Sequence, residues 1–397
     1  MEFNLFKKGR FTFYWVAILL YVVFFKAELD LNFSVIFVFL GLLIAIESSE
    51  IAVHAIDILG KKLKLSPYVG GVLSSLASNT PELVIGGFAV LAGKTEFAIA
   101  LVTIATGFNI LMLGILIMLG NRIRKGPIEL PQEVVDVEVP IMRVAIVILG
   151  SIFVIGIVEF VVEVYNIVQD NVTDILPRLP HEASLLMVLT YVAYLYFIVK
   201  HNLKMVEKKP PEENLDSTHH SVGRNVLFGF LLLSFAGIFA AGEIIASSVE
   251  FLAEQQHIDE FLIAFIIGAA ASVPEHFIAL LAANKKGGIE LGLGNLMAGS
   301  MQNLLLILGL IGLLSGLAAW MGIHPDANSI HGVPLIHETD GHVVPFILVQ
   351  IGFSWLILLL IKSSITDDRR LDTYEGFTVF VAQLFVFVIF LKGILGI

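Results

Sequence analysis

The sequence predicts an all-α polytopic membrane protein with eleven transmembrane helices: one N-terminal helix followed by two inverted five-helix repeats. Three observations lead to this fold class, namely an apolar composition, an alternation of basic and non-basic loops, and an internal repeat. Of the 397 residues, 57% are hydrophobic and 15% are charged, whereas soluble domains carry roughly 25% charged residues. This composition excludes soluble, disordered, fibrous and nucleic-acid-binding proteins.

The charge balance and the cysteine count narrow the class of partner. A formal net charge of −11 favours cations over polyanions as partners. The absence of Cys excludes disulfides, thiolate metal sites and cysteine nucleophiles. The expected surroundings are a lipid bilayer with no nucleic acid, and the sequence leaves the oligomeric state open.

Eleven apolar segments of about 20 residues, the length that crosses a bilayer, are separated by breaks that carry charges. They begin near Phe11, Val35, Gly70, Phe97, Ile141, Ser184, Val226, Phe261, Gly288, Val343 and Tyr374. The segments that contain Glu82 and Glu275 also fit a description as broken helices.

The basic residues of the loops set the orientation. With eleven spans, twenty of the 24 Lys and Arg residues fall on alternate loops, on the side of the N-terminus. The other side receives Lys26, Lys94, Arg178 and Lys392. Since cytoplasmic loops carry the excess of Lys and Arg, the N-terminus is predicted to be cytoplasmic and the C-terminus to lie outside.

A polar break from Lys200 to Val222 divides the chain into halves. The predicted organisation has four parts. They are an N-terminal transmembrane helix and first loop (1–34), a first five-helix repeat (35–200), a cytoplasmic linker (201–222) and a second five-helix repeat (223–397).

The two halves repeat each other at an offset of 193 residues without a gap. This offset aligns the segment 78–83 with 271–276, and it pairs Glu50 with Glu243 and Asn109 with Gln302. Five spans per half, an odd number, invert the second copy relative to the first. Inverted repeats are typical of secondary transporters, with the substrate site near the midplane, although an old duplication without functional symmetry is the alternative.

Two carboxylates occupy equivalent positions in the repeat, inside apolar segments. Pro81 and Pro274 each precede one of them and remove a backbone donor, so both helices are expected to kink or unwind one residue before the carboxylate and to free backbone carbonyls. Carboxylate, amide, hydroxyl and carbonyl oxygens suit a hard cation such as Ca²⁺, here a transported substrate and not a cofactor. The predicted ligand set is Glu82, Glu275, Asn79, Ser272, Asn109, Gln302 and the carbonyls of Ser78 and Ala271.

These acids also require neutralisation at membrane depth. An ionised Glu at the bilayer centre costs at least ~2.5 kcal/mol, and no Lys or Arg is predicted at that depth. Two carboxylates can neutralise one divalent ion or each take a proton, so the two cargoes compete. The alternative is a pair of protonated Glu side chains in a packing hydrogen bond.

Further acids form stripes along two helices. Glu47, Glu50, His54 and Asp57 share one helical face, and so do Glu243, Ser247, Glu250 and Glu254. We hypothesise that Glu50 and Glu243 relay protons or dehydrate the ion, with Glu47 and His54 along the pathway; the alternative is a set of acids at helix ends facing water. His276 fits a packing residue as well as a proton carrier.

An outer loop over residues 321–343 is rich in histidine. Pro, Gly and Asn interrupt it and its spacings match no recognised metal site, so a solvated loop is favoured over a transition-metal site. Its candidate ligands are His324, His331, His337, Glu338, Asp340 and His342.

The motifs around the two glutamates resemble those of the calcium/cation antiporter superfamily. The resemblance covers the chain from about Val35 to Ile397 and rests on Asn79-Thr80-Pro81-Glu82, Pro274-Glu275-His276 and Gly299-Ser300-Met301-Gln302. The Glu-His pair and the Ser-Met-Gln run are similar to the proton/calcium branch, whereas the Ser272-x-Pro-Glu form is more similar to sodium/calcium exchangers. The resemblance implies that Glu82 and Glu275 are the central calcium ligands.

The chain departs from the usual motifs of proton/calcium exchangers in two ways, and it lacks one acid that is frequent in sodium/calcium exchangers. Proton exchangers usually have Gly-Asn before the glutamate, where this chain has Ser78-Asn79 and Ala271-Ser272, and many carry a strongly acidic linker that this chain lacks. The neutral Asn109 and Gln302 stand where sodium exchangers often place an additional acid.

The favoured function is a secondary antiporter that exports Ca²⁺ in exchange for H⁺, and not an enzyme. A Na⁺/Ca²⁺ exchanger of the same superfamily is the alternative. A passive cation channel and an intramembrane metallohydrolase are further alternatives, the latter without a His-Glu-x-x-His motif.

Overall fold

A computed structural model describes residues 5–24, 31–63, 65, 67–130, 132–168, 177–208, 223–273, 275–276, 279–280, 288–323, 332–339 and 342–395. Several residues discussed above lie outside the described part of the chain. They are Pro274, positions 209–222 of the predicted linker, and His324, His331 and Asp340 of the histidine-rich loop.

The first half of the chain forms seven helices. They are α1 (Leu5–Phe24), α2 (Leu31–Lys62), α3 (Pro67–Ser78), α4 (Thr80–Leu91), α5 (Thr95–Arg124), α6 (Gln132–Val168) and α7 (His181–Lys208). The last of these continues eight residues past Lys200, so the beginning of the predicted linker is helical.

The second half follows the same order. Its helices are α8 (Arg224–Gln256), α9 (Glu260–Ala271), α10 (Gly288–Met301), a π-helix (Gln302–Ile307), α11 (Leu308–Trp320), α12 (Phe346–Asp367) and α13 (Thr373–Leu395). Between α9 and α10, Glu275, His276, Ala279 and Leu280 are helical as well.

The described residues contain eight helices that are long and apolar enough to cross a membrane. They are Leu31–Gly60, Thr95–Arg124, Glu138–Val162, His181–Lys200, Asn225–Gln256, Gly292–Trp320, Phe346–Asp367 and Thr373–Ile394. The other three predicted segments correspond to α1, to the interrupted pair α3 and α4, and to the segment that begins with α9. The predicted all-α polytopic fold is confirmed.

Equivalent helices of the two halves start in register. The helices α8, α9 and α10 each begin 193 residues after α2, α3 and α5, which is the offset that the sequence repeat predicts. The repeat is therefore structural as well as sequential.

Close glycine contacts show that the second repeat is inverted. Gly41 of α2 meets Ile245 of α8, while Gly237 of α8 meets Ser48 of α2. Residue numbers thus rise along one helix as they fall along the other, so these equivalent helices run antiparallel. The pair α6 and α12 behaves in the same way, with Gly150 on Trp355 and Gly156 on Leu348. Small residues at such crossings let membrane helices approach closely.

The chain breaks at the same repeat position in both halves. Asn79 separates α3 from α4, and Ser272 ends α9. The interruption lies three residues before the glutamate and not one, because Pro81 stands in the first turn of a new helix, where its missing N–H costs nothing. Because Pro81 has no N–H, it cannot donate a hydrogen bond to the carbonyl of Ala77. This carbonyl accepts one from the Ser49 hydroxyl instead, at 3.3 Å.

Three small strand pairs join the loops, an addition to the predicted all-helical fold. The pairs are β1 (Ile128–Glu129) with β6 (Arg370–Leu371), β2 (Arg178–Leu179) with β3 (Val333–Pro334), and β4 (His337–Thr339) with β5 (His342–Val344). The first two pairs each tie a loop of one half to a loop of the other. Pairs of two or three residues carry no periodicity that a sequence could reveal.

The interrupted segments lie in the middle of the bundle. The helix α3 packs on α10, and its counterpart α9 packs on α5. The central window of α5 is the most enclosed of all the spans, at 72% buried. Each broken segment is therefore held against a long helix of the opposite half, and the two breaks face the interior.

Candidate functional site

Glu82 lies in the first turn of α4, directly after the break at Asn79. Its side chain is fully buried, and neither carboxylate oxygen has a hydrogen-bond partner among the described residues. The N-terminus of a helix favours a negative charge, but an ionised carboxylate without a partner is costly away from water. The position calls for a cation or a proton.

Glu275 is the second carboxylate of the site and comes from the other half. It is also fully buried, and its Oε1 accepts a hydrogen bond from the Ser78 hydroxyl at 3.1 Å. The Ser78 that donates this bond ends α3, four residues before Glu82, so the folded chain brings the two acids to the same break. This juxtaposition is the central expectation of the repeat alignment.

Asn79 joins the two halves at this point. Its amide nitrogen donates to the Gly299 carbonyl and to Gln302 Oε1, both at 3.3 Å. With the amide rotated by half a turn, the nitrogen instead donates to both carboxylate oxygens of Glu275, at 2.9 and 3.0 Å.

Gln302 lies on the opposite wall of the site, at the first residue of the π-helix. Its Oε1 accepts a hydrogen bond from the Ser75 hydroxyl at 3.1 Å as well as from Asn79. Short π-helices are frequent at functional sites. The counterpart Asn109 belongs to the unbroken helix α5, so the two halves differ here.

Asn109 bridges the second carboxylate and the neighbouring histidine. Its Oδ1 lies 3.0 Å from His276 Nε2, a hydrogen bond between the halves. Its amide nitrogen and Glu275 Oε1 both border the space beside Gly299. In this arrangement the oxygen of Asn109 is engaged by His276, which orients the amide.

The remaining predicted ligands lie at the breaks themselves. Ala271 and Ser272 are buried, and the Ser272 hydroxyl donates to the Gly268 carbonyl at 2.8 Å. The Ser78 carbonyl lies 3.4 Å from the Ser49 hydroxyl, so a serine of α2 contacts the backbone that the break exposes.

The acidic stripes lie on α2 and α8. The side chains of Glu47, Glu50 and His54 are half-buried, whereas that of Glu243 is exposed. The relay through these residues stays a prediction.

Glu254, at the end of the second stripe, has a structural partner. Its carboxylate and that of Glu260 each lie 3.0 Å from Lys94 Nζ. Although partial burial lowers it, these two hydrogen bonds raise the pKa of Lys94 above its usual range. The triad ties the loop after α4 to the end of α8 and the start of α9.

Sequence reasoning missed two contributors to the site, namely Ser49 and Ser75, and it named Gly299 in a motif without assigning it a role. Ser75 lies one helical turn before Asn79, so a polar face along α3 was the available signal. Gly299 supplies no polar group but leaves space for the carboxylate, because a Cβ at this position would lie 2.5 Å from Glu275 Oε1. The motif that begins with this glycine was visible in the sequence, but its close approach to the carboxylate was not.

The ligand inventory of the site is two carboxylates with amide and hydroxyl groups. Within the described residues, no three His, Asp or Glu side chains lie close enough together to hold a metal ion. An oxygen set of this kind fits Ca²⁺, which accepts carboxylate, carbonyl and amide oxygens at about 2.3–2.6 Å, rather than a transition metal that prefers His or Cys.

Two inverted repeats around a pair of buried carboxylates define a secondary transporter. The chain belongs to the sodium/calcium exchanger protein family, whose model matches residues 33–200 and again 226–393. The predicted membership of the calcium/cation antiporter superfamily is confirmed, and the family places the chain among exchangers and not among enzymes.

Two curated relatives are similar in sequence. The inner membrane protein YrbG of Escherichia coli (strain K12) is 24% identical over 281 residues, 69% of this chain and 78% of that protein. The putative antiporter CaxA of Alkalimonas amylolytica is 24% identical over 289 residues, 70% of this chain and 79% of that protein.

Two solved structures share the fold. The H⁺/Ca²⁺ exchanger CAX has a TM-score of 0.69 at 16% identity, with 99% of this chain and 92% of that chain covered. The sodium-calcium exchanger NCX_Mj has a TM-score of 0.56 at 16% identity, with 90% of this chain and 99% of that chain covered. The family places Ca²⁺/cation exchange across a membrane as the activity at the level of the superfamily, and these likenesses show the fold.

Proposed function

We propose that the chain exports Ca²⁺ from the cytoplasm in exchange for H⁺, with the calcium ion held between Glu82 and Glu275. The observation that carries this proposal is the Glu82 carboxylate, whose two buried oxygens have no hydrogen-bond partner in the described structure, while a second carboxylate from the other repeat bonds Ser78 at the same break. One divalent ion or two protons would neutralise this pair, and the two cargoes exclude each other.

Asn79 supports the same site, because its amide lies 2.9 and 3.0 Å from the two carboxylate oxygens of Glu275. It stands at the break directly before the helix that carries Glu82. An amide in this position can donate to the carboxylate when no ion is bound, and its oxygen is a ligand of the kind that Ca²⁺ accepts.

Two features favour protons over Na⁺ as the counter-ion. The positions in α5 and in the π-helix that face the site are the neutral Asn109 and Gln302, so the two glutamates are the carboxylates that the predicted ligand set supplies. The fold is also closer to that of the H⁺/Ca²⁺ exchanger than to that of the sodium-calcium exchanger, by TM-scores of 0.69 and 0.56.

The coupling is tested with purified protein in liposomes. We expect an imposed pH gradient to drive Ca²⁺ uptake without Na⁺, and a Na⁺ gradient alone to drive little. The reverse result would make the protein a Na⁺/Ca²⁺ exchanger, and a conductance independent of both gradients would make it a channel. Glu50→Gln and Glu243→Gln belong in the same assay, since unchanged uptake and pH dependence would remove them as relays.

The proposed orientation is a cytoplasmic N-terminus and an external C-terminus. Because the chain has no Cys, single cysteines report sidedness directly. We expect a membrane-impermeant maleimide added to intact cells to label Met321→Cys and to spare Gly126→Cys until the membrane is permeabilised. Met321 is exposed, and a Cβ at Gly126 meets nothing within 4 Å. Labelling of Gly126→Cys alone would reverse the orientation.

A further inference from the structure

A third buried carboxylate lies apart from the two central glutamates. Glu138 of α6 is fully buried, and its Oε1 accepts a hydrogen bond from the hydroxyl of Tyr194 on α7. Buried acids inside membrane spans are expensive and mark ion or proton pathways. The Glu138 carboxylate is not part of the proposed calcium site.

Tyr191 connects Glu138 with the central site. Its ring lies 5.5 Å from that of Tyr194, centroid to centroid, and α7 packs on the π-helix that begins at Gln302. The side chain is fully buried, and its hydroxyl has no hydrogen-bond partner among the described residues. A buried Tyr hydroxyl usually has such a partner, so this one is placed to receive a transient one.

The second repeat has no hydroxyls at the corresponding positions. At the offset of 193, Tyr191 and Tyr194 correspond to Leu384 and Phe387. Phe387 instead packs against Phe108 and Phe265, with ring centroids 4.6 and 5.5 Å apart. Because the repeat symmetry exchanges the two sides of the membrane, the tyrosines serve one side only.

That side is the one that bears the basic loops. Tyr194 precedes Lys200 by six residues, about 9 Å along the helix axis, so Glu138 lies between the midplane and the predicted cytoplasmic surface. A nearby cavity beside Met142 is lined almost entirely by apolar side chains, with Ser300 and Ser354 as its polar members. Water needs several polar partners to occupy a cavity. The tyrosine hydroxyls are therefore a better route for protons than water in this cavity.

We propose that Glu138, Tyr194 and Tyr191 form a proton-holding station that passes protons between the exchange site and the cytoplasmic side during exchange. This station rests on the proposed proton coupling and adds the route that the proton takes. A proton that the site releases enters at the Tyr191 hydroxyl oxygen as Tyr191 hands its own proton on through Tyr194 to the Glu138 carboxylate. Each tyrosine ends the step neutral, and Glu138 gains the proton that the site loses.

The described groups beside Glu138 include two from α7. They are Tyr194, which donates to it, and Tyr191 next to Tyr194. The antiparallel packing of α6 on α12 brings the exposed Asp367 and Asp368 at the end of α12 to the same level. The proposed route reaches solvent at the level of these acids.

The experiment compares two transport modes of the purified, reconstituted protein. Exchange of Ca²⁺ for Ca²⁺ needs no proton, whereas uptake driven by a pH gradient does. We expect Glu138→Gln to slow proton-driven uptake by on the order of tenfold or more, as expected when a positioned proton carrier is removed, and to leave Ca²⁺/Ca²⁺ exchange within about twofold of the unmodified protein. Tyr191→Phe and Tyr194→Phe should do the same without changing any charge.

The matched control is Tyr196→Phe, which removes a hydroxyl two residues away on the exposed face of α7. It should leave both modes unchanged. Equal slowing of both modes in the variants would indicate a structural role, and unchanged proton-driven uptake in all three would overturn the station. If the unmodified protein shows no proton-driven uptake, the proposed coupling fails together with it, which is a different result from a coupled protein with unaffected variants. Should Glu138→Gln fail to fold, the two Phe variants decide.

Discussion

Glu82→Gln and Glu275→Gln are each expected to abolish Ca²⁺ transport, with a loss of at least about 100-fold in Ca²⁺ affinity. Removing one member of a buried ionic group typically costs about 3–5 kcal/mol, and 1.4 kcal/mol is a factor of ten. The direct measurement is the rise in melting temperature on adding Ca²⁺, because a ligand that binds only the folded protein stabilises it. We expect that rise in the unmodified protein and its loss in both variants.

The same substitutions should not weaken the calcium-free protein. Neither oxygen of Glu82 has a hydrogen-bond partner among the described residues, so an amide replaces a costly group and Glu82→Gln should melt at the same or a higher temperature. Glu182→Gln, on the exposed start of α7, is the control and should bind and transport normally. The double variant should be no worse than either single one, since the two act as a unit. Uptake within threefold of normal in both single variants would refute the shared site.

Gly299→Ala is expected to lower Ca²⁺ affinity by on the order of tenfold, because displacing a positioned group by about 1 Å is severe. The added Cβ would lie 2.5 Å from Glu275 Oε1 and 3.2 Å from Asn109 Nδ2, so the carboxylate must leave its position. The surrounding site is closed and buried, which leaves the displaced group little room. The affinity is measured by calcium-dependent thermal shift and by uptake at graded Ca²⁺ concentrations.

Gly87→Ala is the matched control for this substitution. Its Cβ would lie 3.6 Å from Leu314 Cδ2, an ordinary contact, so transport should be unchanged and the helix slightly more stable, since Ala exceeds Gly by about 1 kcal/mol in a helix interior. If Gly299→Ala and Gly87→Ala behave alike in Ca²⁺ affinity, the close approach of Glu275 to α10 is not part of the site.

The position of the breaks shows how far local reasoning reaches. Pro81 correctly indicated an interruption beside a carboxylate. The predicted distance between the interruption and the glutamate was wrong by two residues. A proline inside a helix disrupts the preceding turn, whereas a proline in the first turn of a new helix is favourable. Which of the two applies depends on whether neighbouring groups, here the hydroxyl of Ser49, can receive the released carbonyl.

The buried group around Glu138 shows what local reasoning misses. Glu138 stands at the edge of an apolar run, where an acid normally faces water, and its partner Tyr194 is 56 residues away. Two tyrosines in a membrane helix are unremarkable by sequence, since aromatic residues are common there. Only the packing of α7 on α6 brings hydroxyls and carboxylate together in the interior.

The sequence by itself determined the membrane fold, the eleven segments, the two halves and the pair of glutamates, because hydropathy, charge alternation and an ungapped repeat are properties of the linear chain. The tertiary structure decided what surrounds those glutamates. Ser78 and Asn79 of one repeat contact Glu275 and Gln302 of the other, and Gly299 leaves space for a carboxylate. Contacts between residues about 200 positions apart depend on how antiparallel helices cross, and no local pattern encodes a crossing.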